Sequence, residues 1–156
     1  MKKKAFLIIV AAALCATAIA PVAALADPVA AVQADMARLE SDLTAAHDAI
    51  IADANKIVAD AQAVQGDTVE QAKATLKPDL DKLRSDRKSA HDTLRADRSQ
   101  LKADVQAARD AKVGPDQLRP LFEQLKAQVS KQRGEVKAAV GQARQALAAL
   151  RASFKK

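Results

Sequence analysis

The chain has two histidines, His47 and His91, and each is followed directly by an aspartate, in "AHDAI" (46–50) and "AHDTL" (90–94). An imidazole beside a carboxylate is the material of acid–base catalysis and, when doubled, of a divalent-metal site. The spacing argues against both. Adjacent residues on a helix leave the axis about 100° apart, so neither histidine is expected to face its own aspartate. If Gly66 is the turn between two antiparallel helices, His47 falls opposite a position near residue 85. That leaves it about 9 Å along the axis from His91, too far for the rings to share one ion. Arg87, one turn before His91, adds a cation that discourages metal. The acidic pairs Glu40/Asp42 and Asp79/Asp81 lie two apart, where helical side chains diverge, and read as solvated surface. There is no glycine-rich phosphate loop, and the single cysteine, Cys15, lies in the N-terminal apolar segment. No catalytic, cofactor-binding or metal residue is assigned, and a non-enzymatic protein is expected.

The elements that would carry these residues are helices. In the first, apolar residues fall at Val29, Val32, Met36, Leu39, Leu43, Ala46, Ile50, Ala54, Ile57, Ala61 and Val64. Steps alternating between three and four mark one buried stripe. Asp27 caps this helix and Pro28 takes its first position. Gly66 stops it, and Asp67 with Glu70 reads as a capping-box-like restart. A second stripe runs through Val69, Ala72, Leu76, Leu80, Leu83, Ala90, Leu94, Leu101, Val105 and Ala108, with Pro78 expected to kink or split it. Gly114-Pro115 ends it. A third stripe runs from Leu118 to Phe154, with Pro120 expected to delay its regular start and Gly134 and Gly141 expected to weaken it. The expected helices span about 28–65, 67–112 and 116–154.

Short connections make successive helices antiparallel, so the fold class expected is all-α, an elongated antiparallel three-helix bundle or coiled coil forming a single helical domain over residues 27–156. A long two-helix hairpin that covers its stripes by self-association is the alternative architecture. "RLESDLTAAHDAI" from Arg38 aligns with "KLRSDRKSAHDTL" from Lys82, an offset of 44 residues, and an eleven-residue period recurs from Leu83 to Leu94. Four eleven-residue units account for the paired "AHD" as duplication of helical units.

The first 26 residues, "MKKKAFLIIVAAALCATAIAPVAALA", combine three lysines, an apolar run, Pro21 and a small-residue "ALA" triplet. This is the pattern of a secretory signal peptide, with cleavage expected between Ala26 and Asp27 and an extracytoplasmic location, periplasmic or secreted. A retained membrane anchor is the alternative. Beyond residue 26 there are 22 basic and 19 acidic groups, net +3, with no cysteine, tryptophan or tyrosine. The sign changes along the chain, from −6 over residues 27–75 to +6 over residues 113–156. An acidic first helix lying parallel to a basic third one is expected from that asymmetry. Nucleic acid is not an expected partner, because stacking aromatics are missing. Proteins or envelope components, self-association and an anionic membrane surface are the partners considered.

Two stretches carry a family resemblance. "LTAAHDAII" keeps Leu43, Thr44 and Ile51 of a Leu-Thr-x-x-Gln motif, with His47 in place of the glutamine. "VGPDQLRPL" matches a Leu-Thr-Pro-Glu-Gln form through Pro115, Gln117 and Leu121, departing at Val113, Gly114 and Asp116. In these positions the chain resembles the small helical periplasmic chaperones of the Spy/CpxP type. The resemblance implies an ATP-independent holdase that shields unfolded envelope proteins on a basic, partly apolar concave surface. Composition and periodicity by themselves point instead to a structural, envelope-associated coiled coil, with a chaperone or adaptor and an amphipathic lipid-surface protein as alternatives.

Overall fold

The structure, a computed structural model, describes residues 27–155; the segment expected to be a signal peptide, with its Ala26, lies outside the described residues. It is a bundle of three helices, α1 (Pro28–Ala63), α2 (Val69–Asp110) and α3 (Pro115–Ser153). At about 1.5 Å per residue each runs about 54 to 63 Å, which accounts for the elongated shape.

The boundaries follow local chemistry. Asp27 accepts a hydrogen bond from the Val29 amide at 2.9 Å, and Pro28 occupies the first helical position, as expected. Gly66 takes a left-handed backbone (φ 97) in the first turn. The restart comes one residue later than expected. Thr68 Oγ1 accepts from the Gln71 amide at 3.3 Å, and Gln71 Oε1 accepts from the Thr68 amide at 3.0 Å. Asp67 cannot serve as the cap because its own amide is bonded back to the Val64 carbonyl, which keeps it inside the turn. The second turn also differs from expectation. Lys112, with φ 62, supplies the left-handed residue, while Val113 and Lys112 amides bond back to Ala108 and Arg109. These bonds satisfy the last carbonyls of α2, leaving Gly114 as the extended N-cap of α3. Neither internal proline divides a helix: α2 runs through Pro78, and α3 begins at Pro115 and continues through Pro120. Pro78 is the tenth residue of α2 and Pro120 the sixth of α3, so each leaves the carbonyl four residues earlier, on Ala74 or Asp116, without its usual helical bond while the helix continues on either side.

α1 is the shared element. It packs along both α2 and α3, whereas α2 and α3 do not pack backbone to backbone against each other. Three apolar clusters succeed one another along it. Val32, Met36 and Leu39 meet Leu101, Ala108, Leu118 and Leu125; Ile50, Ala54 and Ile57 meet Leu83, Ala139 and Ala143; Ala61 and Val64 meet Ala72, Leu76 and Leu150. Rising numbers on α1 pair with falling numbers on α2 and rising numbers on α3, so α1 is antiparallel to α2 and parallel to α3. Ile57 and Val32 are fully enclosed, because α1 alone is covered from two sides.

The interface between α1 and α2 contains buried charge, including Asp79, which its spacing from Asp81 leads us to expect at the surface. Asp35 and Asp53 on α1 and Asp79 and Asp97 on α2 are all buried. Lys82 Nζ lies 2.7 Å from Asp53 and 2.7 Å from Asp86, one turn along its own helix. Lys56 Nζ lies 2.9 Å from Asp79 and 2.6 Å from Asp60. The two rungs are the same motif, Asp-x-x-Lys-x-x-x-Asp, donated once from each helix across an approximate two-fold axis. Arg38 forms a third crossing, pairing with Asp35 on its own helix and with Asp97 at 3.5 Å. Asp79 is therefore not solvated surface. Its neighbour Asp81 is, paired only with the exposed Arg84.

The third rung is incomplete. Asp35-x-x-Arg38-x-x-x-Asp42 repeats the motif on α1, but the α2 copy reads Asp97-x-x-Gln100-x-x-x-Asp104. Gln100 stands where the other rungs have a cation, and its amide serves only Asp104, at 3.2 Å. Burial pushes the Asp35 carboxyl above the ordinary range, and a hydrogen bond shared with Asp104 pushes it further. Asp97 is raised in the same way, by burial and then by Asp42. In the complete rungs the shifts reverse. Lys56 holds Asp60 low, Lys82 holds Asp86 low, and Asp53 with Asp86 holds the Lys82 ammonium above the usual lysine range.

Candidate functional site

The histidines fall in different surroundings. His47 is mostly covered, its side chain 15% exposed, and its Nε2 lies 2.8 Å from Glu135 Oε2 on α3. Its Nδ1 lies 2.8 Å from Asp48 Oδ1. His91 approaches Asp92 at 3.4 Å, with 73% of its side chain exposed. Both rings thus reach the adjacent aspartate, contrary to expectation. The 100° divergence applies to the Cα–Cβ bonds, and rotation about the side-chain torsions closes the gap. The spacing of the rings also needs revision. The register that sets Lys56 against Asp79 and Lys82 against Asp53 puts His47 level with Lys88, three residues from His91 and so about 4.5 Å along the axis. Centring the hairpin on Gly66 placed the turn too early, since it extends to Thr68. The rings nevertheless serve different faces, one against α3 and the other toward solvent.

Around His47 the contact is a polar seam between α1 and α3. Thr44 Oγ1 accepts from Gln128 Nε2 at 3.3 Å and from Gln132 Nε2 at 3.2 Å, and donates to the Glu40 carbonyl at 2.9 Å. A neutral imidazole donates from one nitrogen only, so the contacts to Asp48 and Glu135 are both hydrogen bonds only in the doubly protonated ring. With both nitrogens occupied, no ring atom is left to activate a nucleophile in this geometry. Among the described residues no three His, Cys, Asp or Glu side chains converge to hold a metal ion.

A series of concave features lies elsewhere, in the opening between α2 and α3. At one end a trench of about 400 Å³ is floored by Leu76, Leu80, Leu147 and Leu150, with Lys73, Lys77, Arg151 and the Asp81–Arg84 pair at its rim. Midway, about 210 Å³ opens over Ile50 and His47 of α1, between Leu94 and Arg98 of α2 and Val129 and Arg133 of α3. At the far end about 360 Å³ is bounded by Val105, Arg109, Leu118, Arg119 and Phe122. The two large apolar residues most open to solvent among the described residues, Val69 at 37% and Phe122 at 38%, mark opposite ends of this line.

Its electrostatics follow from the ladder on the other side of α2. The interhelical bridges between Lys or Arg and an acid, among the described residues, all join α1 to α2. The parallel acidic and basic helices, α1 and α3, are linked instead through His47 and Glu135. Because buried aspartates draw their cations to the α1–α2 seam, Lys73, Lys77, Arg98, Arg109, Arg133 and Arg151 line the trench with no acidic partner among the described residues. Sequence reading registered the basic C-terminal half but not its concentration along one opening, since nothing in periodicity shows that α2 and α3 fail to close on each other.

The described residues form no helix long and apolar enough to cross a membrane. No protein-family model, curated protein or solved structure matches the chain.

Proposed function

We propose that this protein is a non-enzymatic, exported helical binding module that holds segments of other proteins in the α2–α3 trench without ATP. The observation that carries the proposal is the trench itself: an apolar floor in three hollows between α2 and α3, edged by Lys73, Lys77, Arg98, Arg109, Arg133 and Arg151, none of them ion-paired among the described residues, while the lining's Asp81 is taken up by Arg84 and its Arg119 by Glu123. A rod acting only as a spacer gains nothing from leaving this floor open, and exposed apolar area of this kind marks interaction surfaces. The expected signal peptide would place the module outside the cytoplasm. There an ATP-independent mode of holding is suited to an environment without nucleotide, and the resemblance to the Spy/CpxP-type chaperones implies the same mode. The stretches that carry that resemblance lie at the α1–α3 contact through Thr44 and at the α3 start through Pro115.

The test is aggregation of a chemically unfolded model protein, followed by light scattering, with residues 27–156 added at increasing ratio and no ATP. Suppression is expected at a few-fold excess, and it should weaken when Leu80 and Phe122, two apolar residues of the trench, are both changed to serine. Absence of suppression, together with binding to anionic vesicles, would replace this reading with the lipid-surface one.

A further inference from the structure

We infer that the outer face of α2 around His91 is a second helix seat, built as a duplicate of the seat that α3 occupies on α1, and that it receives an acidic amphipathic helix of a partner protein. The inference rests on the binding-module reading and names its partner class.

The duplication noticed in sequence is also structural. Shifting α1 by 44 residues onto α2 places buried residues on buried residues: Asp35 on Asp79, Leu39 on Leu83, Asp53 on Asp97 and Ile57 on Leu101. The ladder motif, the apolar stripe and the "AHD" triplet all repeat together. The two halves of the hairpin are therefore equivalent scaffolds, and what covers one of them is a guide to what fits the other.

On α1 the face is covered. Ile50, Ile51, Ala54 and Val58 lie in one apolar cluster with Val136, Ala139, Val140 and Ala143 of α3, and Glu135 reaches His47. On α2 the equivalent residues are Leu94, Arg95, Arg98 and Lys102, and together with His91 they line a single hollow of about 400 Å³. Leu94 and Arg98 also border the midway opening toward α3, but the hollow itself is lined by α2 alone. His91 keeps its aspartate neighbour, but its Nε2 has no counterpart of Glu135 among the described residues.

The substitutions within the duplicate specify the occupant. Ile51, Ala54 and Val58 have become Arg95, Arg98 and Lys102, while Ile50 is kept apolar as Leu94. A seat that accepts the neutral, alanine-rich face of α3 has become a single leucine, Leu94, flanked by cations. Each of the three cations lacks an ion pair among the described residues, so they are available to an incoming helix. The complementary partner has apolar residues at three-four spacing and Glu or Asp on both flanks, one of which takes the place of Glu135 at His91. A second copy's α3 does not fit, because seven of its charged residues are Lys or Arg against three acidic ones, Asp116, Glu123 and Glu135.

The probe is a fluorescein-labelled amphipathic peptide of about 20 residues, long enough to be helical in isolation, with leucines at three-four spacing and glutamates flanking them. Its lysine analogue and a scrambled glutamate peptide without the stripe serve as comparisons. Binding to residues 27–156 by fluorescence anisotropy is expected for the first peptide only. R95E/R98E/K102E, all at exposed positions, should weaken it by about tenfold or more, with helicity by circular dichroism unchanged. The matched K73E/K77E/R151E variant at the far end of the trench should keep the affinity within about twofold. Backbone amide shifts should move between Ala90 and Lys102. Equal binding of the scrambled peptide, or shifts concentrated around Lys73 and Arg151, would overturn the seat. So would a dimer formed without peptide and dissolved by R95E/R98E/K102E, since the occupant would then be a second copy. If the acidic helix fails to bind while aggregation suppression persists, the seat alone is wrong; loss of both removes the binding-module reading as well.

Discussion

α2 has two long faces that the same sequence repeat treats in opposite ways. On the inner face, toward α1, buried aspartates meet lysines at 2.7 to 2.9 Å and the helices close on each other. On the outer face, Arg95, Arg98 and Lys102 find no acid among the described residues, and the helix stays uncovered. The difference shows that net charge is a poor guide to this molecule. Beyond residue 26 an excess of three positive charges is small, yet it becomes a basic surface because carboxylates are concentrated in one seam. It also shows that the ion pairs closing the hairpin and the unpaired cations lie on separate sides of one helix, so that each set can be altered with little effect on the other.

The largest effect should come from breaking the side where everything converges. Ile57 is fully buried between both neighbours, and Ile57→Ala should cost about 3 kcal/mol of unfolding free energy. Phe122→Ser, at the open end of the trench, should change stability by no more than about 0.5 kcal/mol while weakening client binding. Urea unfolding followed by circular dichroism compares the two. If they were equally destabilising, the trench would be part of the core, and the contrast between the closed and open faces would fail.

The second effect concerns α3, which packs closely along α1 and meets α2 only through side chains in the apolar clusters. Gly134 and Gly141 interrupt its interior, and a Cβ built at either position meets no neighbouring atom within 4 Å. Gly134→Ala and Gly141→Ala should therefore each stabilise the protein by about 1 kcal/mol, the helix-propensity difference, with no packing change to offset it. A loss of stability from either would mean that α3 flexes at these positions in the folded state, and that the open face depends on it.

Much of the fold was legible because it depends on local, periodic signals. Asp27-Pro28, Gly66 and the three-four stripes located the helices to within a few residues of where they lie. The parallel course of α1 and α3 followed from short connections. What escaped was long-range. Pairing of α1 with α2 buries Asp79, which by its neighbours alone looks solvated. The turn chose Thr68 over Asp67 through a backbone bond to Val64 that no spacing rule contains. The repeat was visible from Arg38 and Lys82 onward, but its meaning lay just upstream, at Asp35 and Asp79, where the motif begins. The histidines drew attention as the rarer residues, although the aspartate–lysine spacing is what organises the hairpin. The trench was not legible, because it depends on two helices not meeting.

The smallest effect tests the incomplete rung. Gln100→Lys would give Asp35 the cross-helix cation that Lys82 gives Asp53, and should stabilise the protein by about 0.5 kcal/mol at neutral pH, in the range of a partly exposed pair. Its pH dependence is more telling than its size. In the unmodified protein Asp35 and Asp97 bind protons more readily folded than unfolded, so they cost stability at neutral pH and that cost is relieved as pH falls through their raised values. Asp60 and Asp86 act the other way: their contribution is present above the ordinary carboxylate value of 3.8 and is lost as pH falls through their lowered values. Stability should therefore rise on mild acidification before it falls in stronger acid. In Gln100→Lys the new ammonium favours the charged form of Asp35, so the initial rise should shrink while the acid loss remains. Urea midpoints measured across this range separate the possibilities. An unchanged rise in Gln100→Lys would mean that Gln100 is not the missing partner of the ladder, and that the crowding of Asp35, Asp42, Asp97 and Asp104 is relieved some other way.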